Sequence, residues 1–221
     1  MPSAYKGHSI VDTFIEERAP TLLTTPVLKQ AVRLVLDPIL RYREAVEVVE
    51  QIKDMSGAEI MDLARNELSL RIGLRGGEHI AKSDAMIIAA NHPTGIADGI
   101  AVYDVLSRYR DDVVFLANRD AIRLAGGLAD IVIPVEWVKE KRNMSRTRET
   151  FRHISKAFKE NKAVVIFPSG RMSHLTPRGL REREWLPTVI NLARKYRVPV
   201  APMHIASRNS TLFYAFSQIS D

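Results

Sequence analysis

The chain has 221 residues, of which 46% are hydrophobic and 26% are charged. This composition is that of a globular protein with a buried core, and it excludes a disordered or collagen-like chain. The absence of cysteine excludes disulfides, thiolate metal sites and a cysteine nucleophile. The longest apolar run, Ala85–Ala90, is far shorter than the roughly 20 residues of a membrane-spanning helix. The N-terminus has early acidic residues and no apolar core, so we expect no signal peptide and a cytoplasmic protein.

The net charge of +6 is unevenly distributed along the chain. Between Lys139 and Arg183 there are 13 Lys and Arg residues against 4 Asp and Glu residues, a local charge of +9, so the rest of the chain sums to −3. Such a concentration indicates an anionic partner, which could be nucleic acid, anionic lipid or a phosphorylated small molecule. A set of solvated helix faces explains the charge equally well, so charge alone decides nothing.

Residues 1–67 are predicted to form an N-terminal helical segment. Thr25 and Pro26 have the residue types of a helix cap and first turn, and an amphipathic stripe follows them. Two further helices are predicted over 45–54 and from Ser56 or Gly57 to Asn66. An amphipathic helix either packs on its own domain or lies in a membrane interface, and packing is the more common outcome.

Residues 68–221 are predicted to form one α/β domain. The alternation in LSLRIGL, from Leu68, predicts a first strand. The buried strands that follow are predicted at Ala85–Ala90, Val113–Ala117, Ile131–Val135, Ala163–Phe167 and Val198–Ile205. The helices between them are predicted at about Gly95–Arg110, Ala121–Ala129, Arg146–Asn161 and Leu186–Arg197. Strands alternating with helices indicate a mostly parallel central sheet flanked by helices, with functional residues beyond the carboxyl ends of the strands.

The sequence NHPTGIADG, residues 91–99, follows the first of these buried strands. His92 is expected at the strand end and Asp98 about one turn into the next helix. A reversing loop would bring them together as a general base and its orienting carboxylate. Gly95 lies where backbone N–H groups at a helix N-terminus favour a developing negative charge. The alternative is structural: His92 caps the helix and Asp98 balances its dipole.

Two other strand ends carry residues of interest. In FPSGRMS, residues 167–173, Gly170 can present backbone N–H groups and Arg171 is suited to bind an anion. The alternative is an ordinary turn with an exposed arginine. The stretch VPVAPMH, residues 198–204, is a strand bracketed by prolines.

Together, NHPTGIADG, VVIFPSGR and VPVAPMHI resemble blocks one, three and four of the glycerolipid acyltransferases, the PlsC-like family that includes lysophosphatidic acid acyltransferase. The resemblance extends from about Leu68 to Ser217. It implies transfer of a fatty acyl group from acyl-CoA or acyl carrier protein to the hydroxyl of a lysolipid, as in phospholipid biosynthesis. His92 is then the base of an HxxxxxD motif with Asp98 as its partner. No acyl-enzyme, bound cofactor or metal is implied.

The resemblance also suggests positions for the other site residues. Gly95 and Gly170 are candidates for oxyanion N–H donors. Substrate binding is assigned to residues beside the motifs or in the basic stretch: Asn91, Thr94, Ser169, Arg171, Lys139 and Arg142. The expected partners are a lysolipid acceptor, acyl-CoA or acyl carrier protein, and the cytoplasmic face of a membrane, to which the protein would bind peripherally.

Several positions depart from the common family pattern. Five residues separate His92 from Asp98 instead of four, and Ser169 replaces a glutamate. Arg171 follows Gly170 directly, and the second block lacks its arginine, although Lys139 and Arg142 lie nearby. These variants resemble the bacterial haemolysin-like and ornithine-lipid acyltransferases, so the acceptor is either 1-acylglycerol-3-phosphate-like or lyso-ornithine-lipid-like. Family members usually continue beyond the position of Asp221, which leaves open whether the domain is truncated at its C-terminus.

Two alternatives of other classes remain. Ser169 could be the nucleophile of a serine hydrolase or thioesterase, although it lies in FPSGR rather than in a G-x-S-x-G elbow. The chain could instead bind anionic membrane or nucleic acid without catalysis. No nucleic-acid-binding motif, nucleotide-binding glycine motif or metal-ligand spacing is present in the sequence, so we expect no nucleic acid partner.

Overall fold

A computed structural model describes residues 9–18, 42–136, 143–210 and 214 of the chain. The strands are β1 (Met86–Ala90), β2 (Val113–Asn118), β3 (Val132–Val135), β4 (Ala163–Ile166), β5 (His174–Thr176), β6 (Gly179–Arg181) and β7 (Val200–Met203). Within the described residues, five of them form a parallel sheet in the order β3-β2-β4-β1-β7. The other two, β5 and β6, form a separate antiparallel hairpin. The predicted α/β fold with a mostly parallel central sheet is confirmed.

The helices are α1 (Ile10–Arg18), α2 (Tyr42–Ile52), α3 (Gly57–Leu68), α4 (Ile96–Leu106), α5 (Asp120–Leu124), α6 (Met144–Lys159) and α7 (Thr188–Tyr196), with 3-10 turns at Gly77–His79 and Gly126–Asp130. The start of α3 is fixed by a capping box. Ser56 Oγ accepts a hydrogen bond from the Glu59 N–H, and the Glu59 carboxylate accepts one from the Ser56 N–H at 2.8 Å. The Glu59 carboxylate also accepts a hydrogen bond from the Ser56 hydroxyl at 2.7 Å, and this bond, together with the one from the Ser56 N–H, lowers the pKa of Glu59.

Helices cover both faces of the sheet. On one face, α6 and α7 bury Ile154, Phe158, Val189 and Leu192 against Ile87 and Val164 of the strands. On the other face, α4 buries Val102 and Leu106, and Met61 of α3 packs beside them. The central strands β1 and β4 are buried along their whole length, as expected for parallel strands between two helical layers. The sheet is thus packed on both faces, and the parallel pairing of β1 with β4 and with β7 places the carboxyl ends of these three strands side by side.

The strand predicted for LSLRIGL is wrong. Among the described residues this segment pairs with no strand, and Ser69 ends α3 in a left-handed conformation. Ile72 and Leu74 nevertheless pack against the core, while the alternate residues Arg71 and Gly73 are exposed. The alternation therefore arises from an extended segment that buries every second side chain without joining a sheet.

The predicted helix over 121–129 is shorter than expected. The α-helix ends at Leu124, and the chain continues as a 3-10 turn from Gly126. A Cβ atom at Gly127 would lie 1.9 Å from the Met55 carbonyl oxygen, so the turn approaches the segment between α2 and α3 very closely. This close approach requires glycine and accounts for the break.

Some predictions lie outside the described residues. These are the helix that begins at Thr25 and Pro26, and the basic residues Lys139 and Arg142. The division between the segments 1–67 and 68–221 stays a prediction. In the described parts of the chain, no helix is both long enough and apolar enough to cross a bilayer.

Candidate active site

His92 and Asp98 come together beyond the carboxyl end of β1. His92 Nδ1 lies 2.9 Å from Asp98 Oδ2, and the Asp98 side chain is fully buried. Nδ1 is itself buried, but the ring N–H direction does not meet the requirements of a hydrogen bond to any described residue. The two atoms therefore lie within hydrogen-bonding distance, but the ring is not oriented for a hydrogen bond between them. The predicted juxtaposition of the two residues is present.

The Asp98 carboxylate also organises the loop between the two residues. It accepts hydrogen bonds from the Thr94 N–H at 2.7 Å, from Thr94 Oγ1 and from the Gly95 N–H at 2.9 Å. Gly95 has a φ of 78°, a conformation that glycine adopts without strain. The same carboxylate folds the loop and faces the imidazole, so the two roles predicted for Asp98 are compatible with each other.

The ring of Phe167 packs against one face of the His92 imidazole. The two rings stack with centroids 4.1 Å apart and planes inclined by 22°. The His92 side chain is 19% exposed although Nδ1 is buried, so the accessible part of the ring is the part that includes Nε2. A histidine with one nitrogen facing a carboxylate and the other side open has the arrangement of a general base.

The backbone of His92 is held by the segment that carries the hairpin. The Glu182 carboxylate accepts a hydrogen bond from the His92 N–H, at 3.2 Å to Oε2. Ser173 Oγ donates to the same carboxylate at 2.6 Å, and the Ser173 N–H donates to the His92 carbonyl at 2.8 Å. Neither Glu182 nor Ser173 was expected at the site.

A cavity of about 470 Å³ lies beside this loop, and its lining includes Glu182, His204 and Arg208. Asn91 forms part of the wall and connects the ends of two strands. Its Nδ2 donates to the Ile205 carbonyl at 3.0 Å, and the Ile205 N–H donates to its Oδ1 at 2.6 Å. The side chain of Asn91 thus fixes the strand ends, and the segment after β7 contributes His204 and Arg208 to the lining of the cavity.

The sequence comparisons agree with this geometry. The family model described as Acyltransferase matches residues 71–206, which include both strand ends and all residues that line the cavity except Ser207 and Arg208.

The chain belongs to the acyltransferase family.

The family resemblance of the three motifs is thereby confirmed. Similar proteins include the lyso-glycine lipid O-acyltransferases of Bacteroides thetaiotaomicron and Phocaeicola vulgatus, each 24% identical to this chain over 184 and 185 residues respectively. The matched region covers 83% of this family member, but 66% and 64% of the two relatives. The chain therefore spans just under two thirds of the length of these relatives.

Gly95 and Gly170 were predicted to bind an oxyanion, but the N–H group of each donates a hydrogen bond within the protein. The Gly95 N–H donates to Asp98, as described above. The Gly170 N–H donates to the Phe167 carbonyl at 2.9 Å in a turn where Gly170 has a φ of 64°. In this arrangement neither N–H points to a substrate, so their role in oxyanion binding stays a prediction that requires the loops to shift.

The predicted substrate-binding residues occupy several environments. Thr94 is buried and bound to Asp98. Ser169 Oγ donates to the Arg171 carbonyl at 2.8 Å, and no hydrogen bond joins it to His92 within the described residues. The Arg171 side chain is exposed. A serine hydrolase needs a nucleophile in contact with its general base, and Ser169 makes no such contact with His92.

Sequence reasoning missed Tyr214 and Asn209, which hold the loop after His92. Tyr214 is buried, and its hydroxyl donates to the Pro93 carbonyl at 2.8 Å and accepts from the Asn209 N–H at 3.0 Å. Asn209 Nδ2 donates to the Thr94 carbonyl at 3.2 Å. An aromatic cluster near the C-terminus was the available signal for Tyr214, although nothing in the sequence connected it with residue 93. Among the described residues, no group of acidic or histidine side chains has the arrangement of a metal site.

Proposed function

We propose that this chain carries the catalytic domain of a lysolipid O-acyltransferase. The observation that carries the proposal is the His92–Asp98 pair, with Nδ1 against a buried carboxylate and the opposite side of the ring open. Membership of the acyltransferase family and the similarity to the lyso-glycine lipid O-acyltransferases support the same reaction.

In the proposed mechanism His92 Nε2 removes the proton from the acceptor hydroxyl. The hydroxyl oxygen attacks the thioester carbonyl of the donor, an ester bond forms, and the carbon–sulfur bond breaks. The departing thiolate takes the proton back from the imidazolium. Asp98 stabilises the imidazolium while the proton resides on His92, and the chain forms no covalent intermediate. The donor is acyl-CoA or acyl carrier protein.

The proposed acceptor is a lysolipid whose head group carries a carboxylate, as an amino-acid head group does. The relatives act on lyso-glycine lipid by name. Arg208 and His204 line the cavity beside the His92 loop, and a guanidinium binds a carboxylate in a bidentate manner. Glu182, which lines the same cavity, would bind an N–H or ammonium group of the same head group. A lysophospholipid whose head group is only a phosphate has no such group, so its negative charge would lie next to the Glu182 carboxylate.

The test measures thiol release from a long-chain acyl-CoA or acyl carrier protein with a thiol-reactive dye. The chain has no cysteine and contributes no background. We expect release only when an acceptor is present, with lyso-glycine lipid or lyso-ornithine lipid faster than lysophosphatidic acid. His92→Ala should lower the rate by about 10²- to 10⁴-fold, the usual contribution of a general base. Ser169→Ala is the contrasting variant: the loss of a substrate-binding residue should reduce activity only in part, whereas the loss of a nucleophile would abolish it.

Two outcomes would contradict the proposal. Acceptor-independent release that requires Ser169 would identify a thioesterase. Thiol release that persists in the His92→Ala variant would show that His92 is not the general base. Arg208→Ala separates acceptor recognition from chemistry: we expect a higher KM for a carboxylate-bearing acceptor with little change in kcat, because a binding interaction common to ground state and transition state is lost.

A further inference from the structure

Large apolar side chains are exposed mainly at the edge of the sheet where the strands end. Within the described part of the chain, five of the eight such side chains lie at this edge, namely Ile96, Met144, Trp185, Leu186 and Ile190. Ile96, 83% exposed, and Met144 begin α4 and α6, and Ile190 lies in the first turn of α7. The Leu186 N–H donates to the carbonyl of Pro168, just after β4. We call these five residues the apolar rim.

The apolar rim lies at the same edge as the catalytic loop. A helix that follows a parallel strand begins at the carboxyl end of the sheet, which is where His92 and Asp98 lie. Ile96 is only two residues from Asp98, and Trp185 is three residues beyond Glu182. The apolar surface also continues down the α6–α7 face, where Phe151 is exposed and Lys195 Nζ lies 5.3 Å from the centre of its ring.

Basic side chains accompany the apolar rim. Arg148 and Arg152 of α6 and Arg171 after β4 are exposed, and all three belong to the sequence region with a local charge of +9. Arg194 and Lys195 are also exposed, but they lie in the last turn of α7, at the other end of that helix from Ile190. Exposed tryptophan and aliphatic side chains next to Lys and Arg are the composition of a surface that lies in a lipid interface, where the apolar groups enter and the cations meet anionic head groups.

We propose that the apolar rim inserts into the interface of an anionic membrane, so that the opening of the His92 site faces the lipid. The choice of lipid as the occupant rests on the proposed function, because a lysolipid acceptor reaches His92 from a bilayer only if this edge faces it. An acidic carrier protein would also be attracted by the charge. Large, scattered aliphatic groups around the site favour the bilayer, since a soluble partner that leaves after each turnover has no need of them.

The test uses Trp185 as a depth probe in the full chain. The sequence has two tryptophans, so Trp137→Phe makes Trp185 the single reporter. We expect the Trp185 emission to shift to shorter wavelength, and to be quenched by brominated lipids, with phosphatidylcholine–phosphatidylglycerol vesicles but much less with phosphatidylcholine alone.

A matched pair of variants then locates the binding surface. Leu186 and Leu68 are 51% and 49% exposed, but Leu68 ends α3 near Arg65, which pairs with Asp104 towards the far end of α4. Leu186→Glu should lower vesicle affinity at least about tenfold, because it removes an inserted group and adds repulsion. Leu68→Glu should change it less than about twofold. The thermal midpoint of each variant shows whether its fold is intact.

Each remaining outcome is decisive. Equal effects of the two glutamates, binding without a Trp185 shift, or no binding to anionic vesicles would overturn the proposal. Loss of affinity for acyl carrier protein but not for vesicles in Leu186→Glu would assign the apolar rim to a protein partner instead. Vesicle binding that depends on Leu186, in a chain that transfers no acyl group from either donor, would refute the proposed function and leave the membrane surface standing.

Discussion

The Glu182 carboxylate accepts a hydrogen bond from the backbone N–H of His92, although 90 positions separate the two residues. Ser173, between the Phe167 turn and the hairpin, binds the same carboxylate and also donates its N–H to the His92 carbonyl. Both backbone polar groups of His92 are therefore held by one segment of the chain. This segment and the stacked ring of Phe167 together set the orientation of the imidazole.

Glu182 is expected to be a positioning residue for His92. In Glu182→Ala both oxygens are lost, the His92 N–H loses its partner, and we expect kcat to fall on the order of 10- to 100-fold, since a small misplacement of a base is costly. Glu182→Gln retains one acceptor oxygen and should recover most of kcat. Steady-state kinetics with a saturating acceptor provide the measurement. An equal loss in both variants, or a loss explained by a lower melting temperature, would contradict the assignment.

Gly95 combines two constraints at the site. Its φ is 78°, and a Cβ atom at this position would lie 2.5 Å from the Met172 sulfur. Gly95→Ala should cost about 1–3 kcal/mol of unfolding free energy from the backbone conformation alone, and activity should fall because the Asp98 loop is displaced. Urea denaturation gives the free energy.

Gly99 is the matched control for that substitution. It lies inside α4, and nothing approaches within 4 Å of the position where its Cβ would be. Gly99→Ala should leave stability unchanged or raise it by up to about 1 kcal/mol, because alanine is the better helix former. Equal destabilisation by the two alanines would show that the conformation of Gly95 is not the cause.

The local patterns of the sequence were sufficient to predict a mostly parallel sheet and the juxtaposition of His92 and Asp98. Each buried strand is a short apolar run, and parallel strands necessarily bring their carboxyl ends together. His92 and Asp98 follow the same run, so their approach depends only on a short loop. The hydrogen bond from Gly95 to Asp98 closes that loop within four residues.

Contacts over long sequence distances could not be predicted. The partners of Asn91 and Thr94 include Ile205 and Asn209, each more than 100 residues away, and the sequence gives no indication of these pairings. The hairpin had a local signal that was overlooked: Pro177 and Gly179 occupy favoured positions of a tight turn between β5 and β6. In LSLRIGL the alternation described burial correctly but not strand pairing.

Arg110 is expected to be a major determinant of stability. Its buried guanidinium binds the Asp112 carboxylate through Nε and Nη2, and also donates to the carbonyls of Ala81, Asp84 and Asn161. Arg110→Met would leave these acceptors without a donor, at a cost of about 3–5 kcal/mol. The control Lys156→Met removes an exposed ion pair and should change stability by less than about 1 kcal/mol. Urea unfolding of both variants tests the difference, and similar free energies would refute the assignment.

Asp104 is expected to make the stability of the domain depend on acid pH. Burial alone would raise the pKa of its carboxyl group, but hydrogen bonds from Arg65, at 3.0 Å, and from Arg108 outweigh burial, so the pKa is lowered. A pKa that is lower in the folded chain than the unfolded value of about 3.9 stabilises the fold above that value. The stabilisation disappears as the pH falls through the folded-state pKa.

The variant Asp104→Asn isolates this dependence. At pH 7 we expect it to lose about 1 kcal/mol, a modest amount because both arginines are partly exposed. Between pH 5 and pH 3 its stability should decline less steeply than that of the parent chain, and the two curves should converge at the acid end. Asp62→Asn, which alters an exposed carboxylate 4.0 Å from the same Arg65, should follow the parent curve. Urea midpoints measured across this range provide the test, and parallel curves for Asp104→Asn and the parent would show that the Asp104 carboxylate does not contribute to the acid sensitivity.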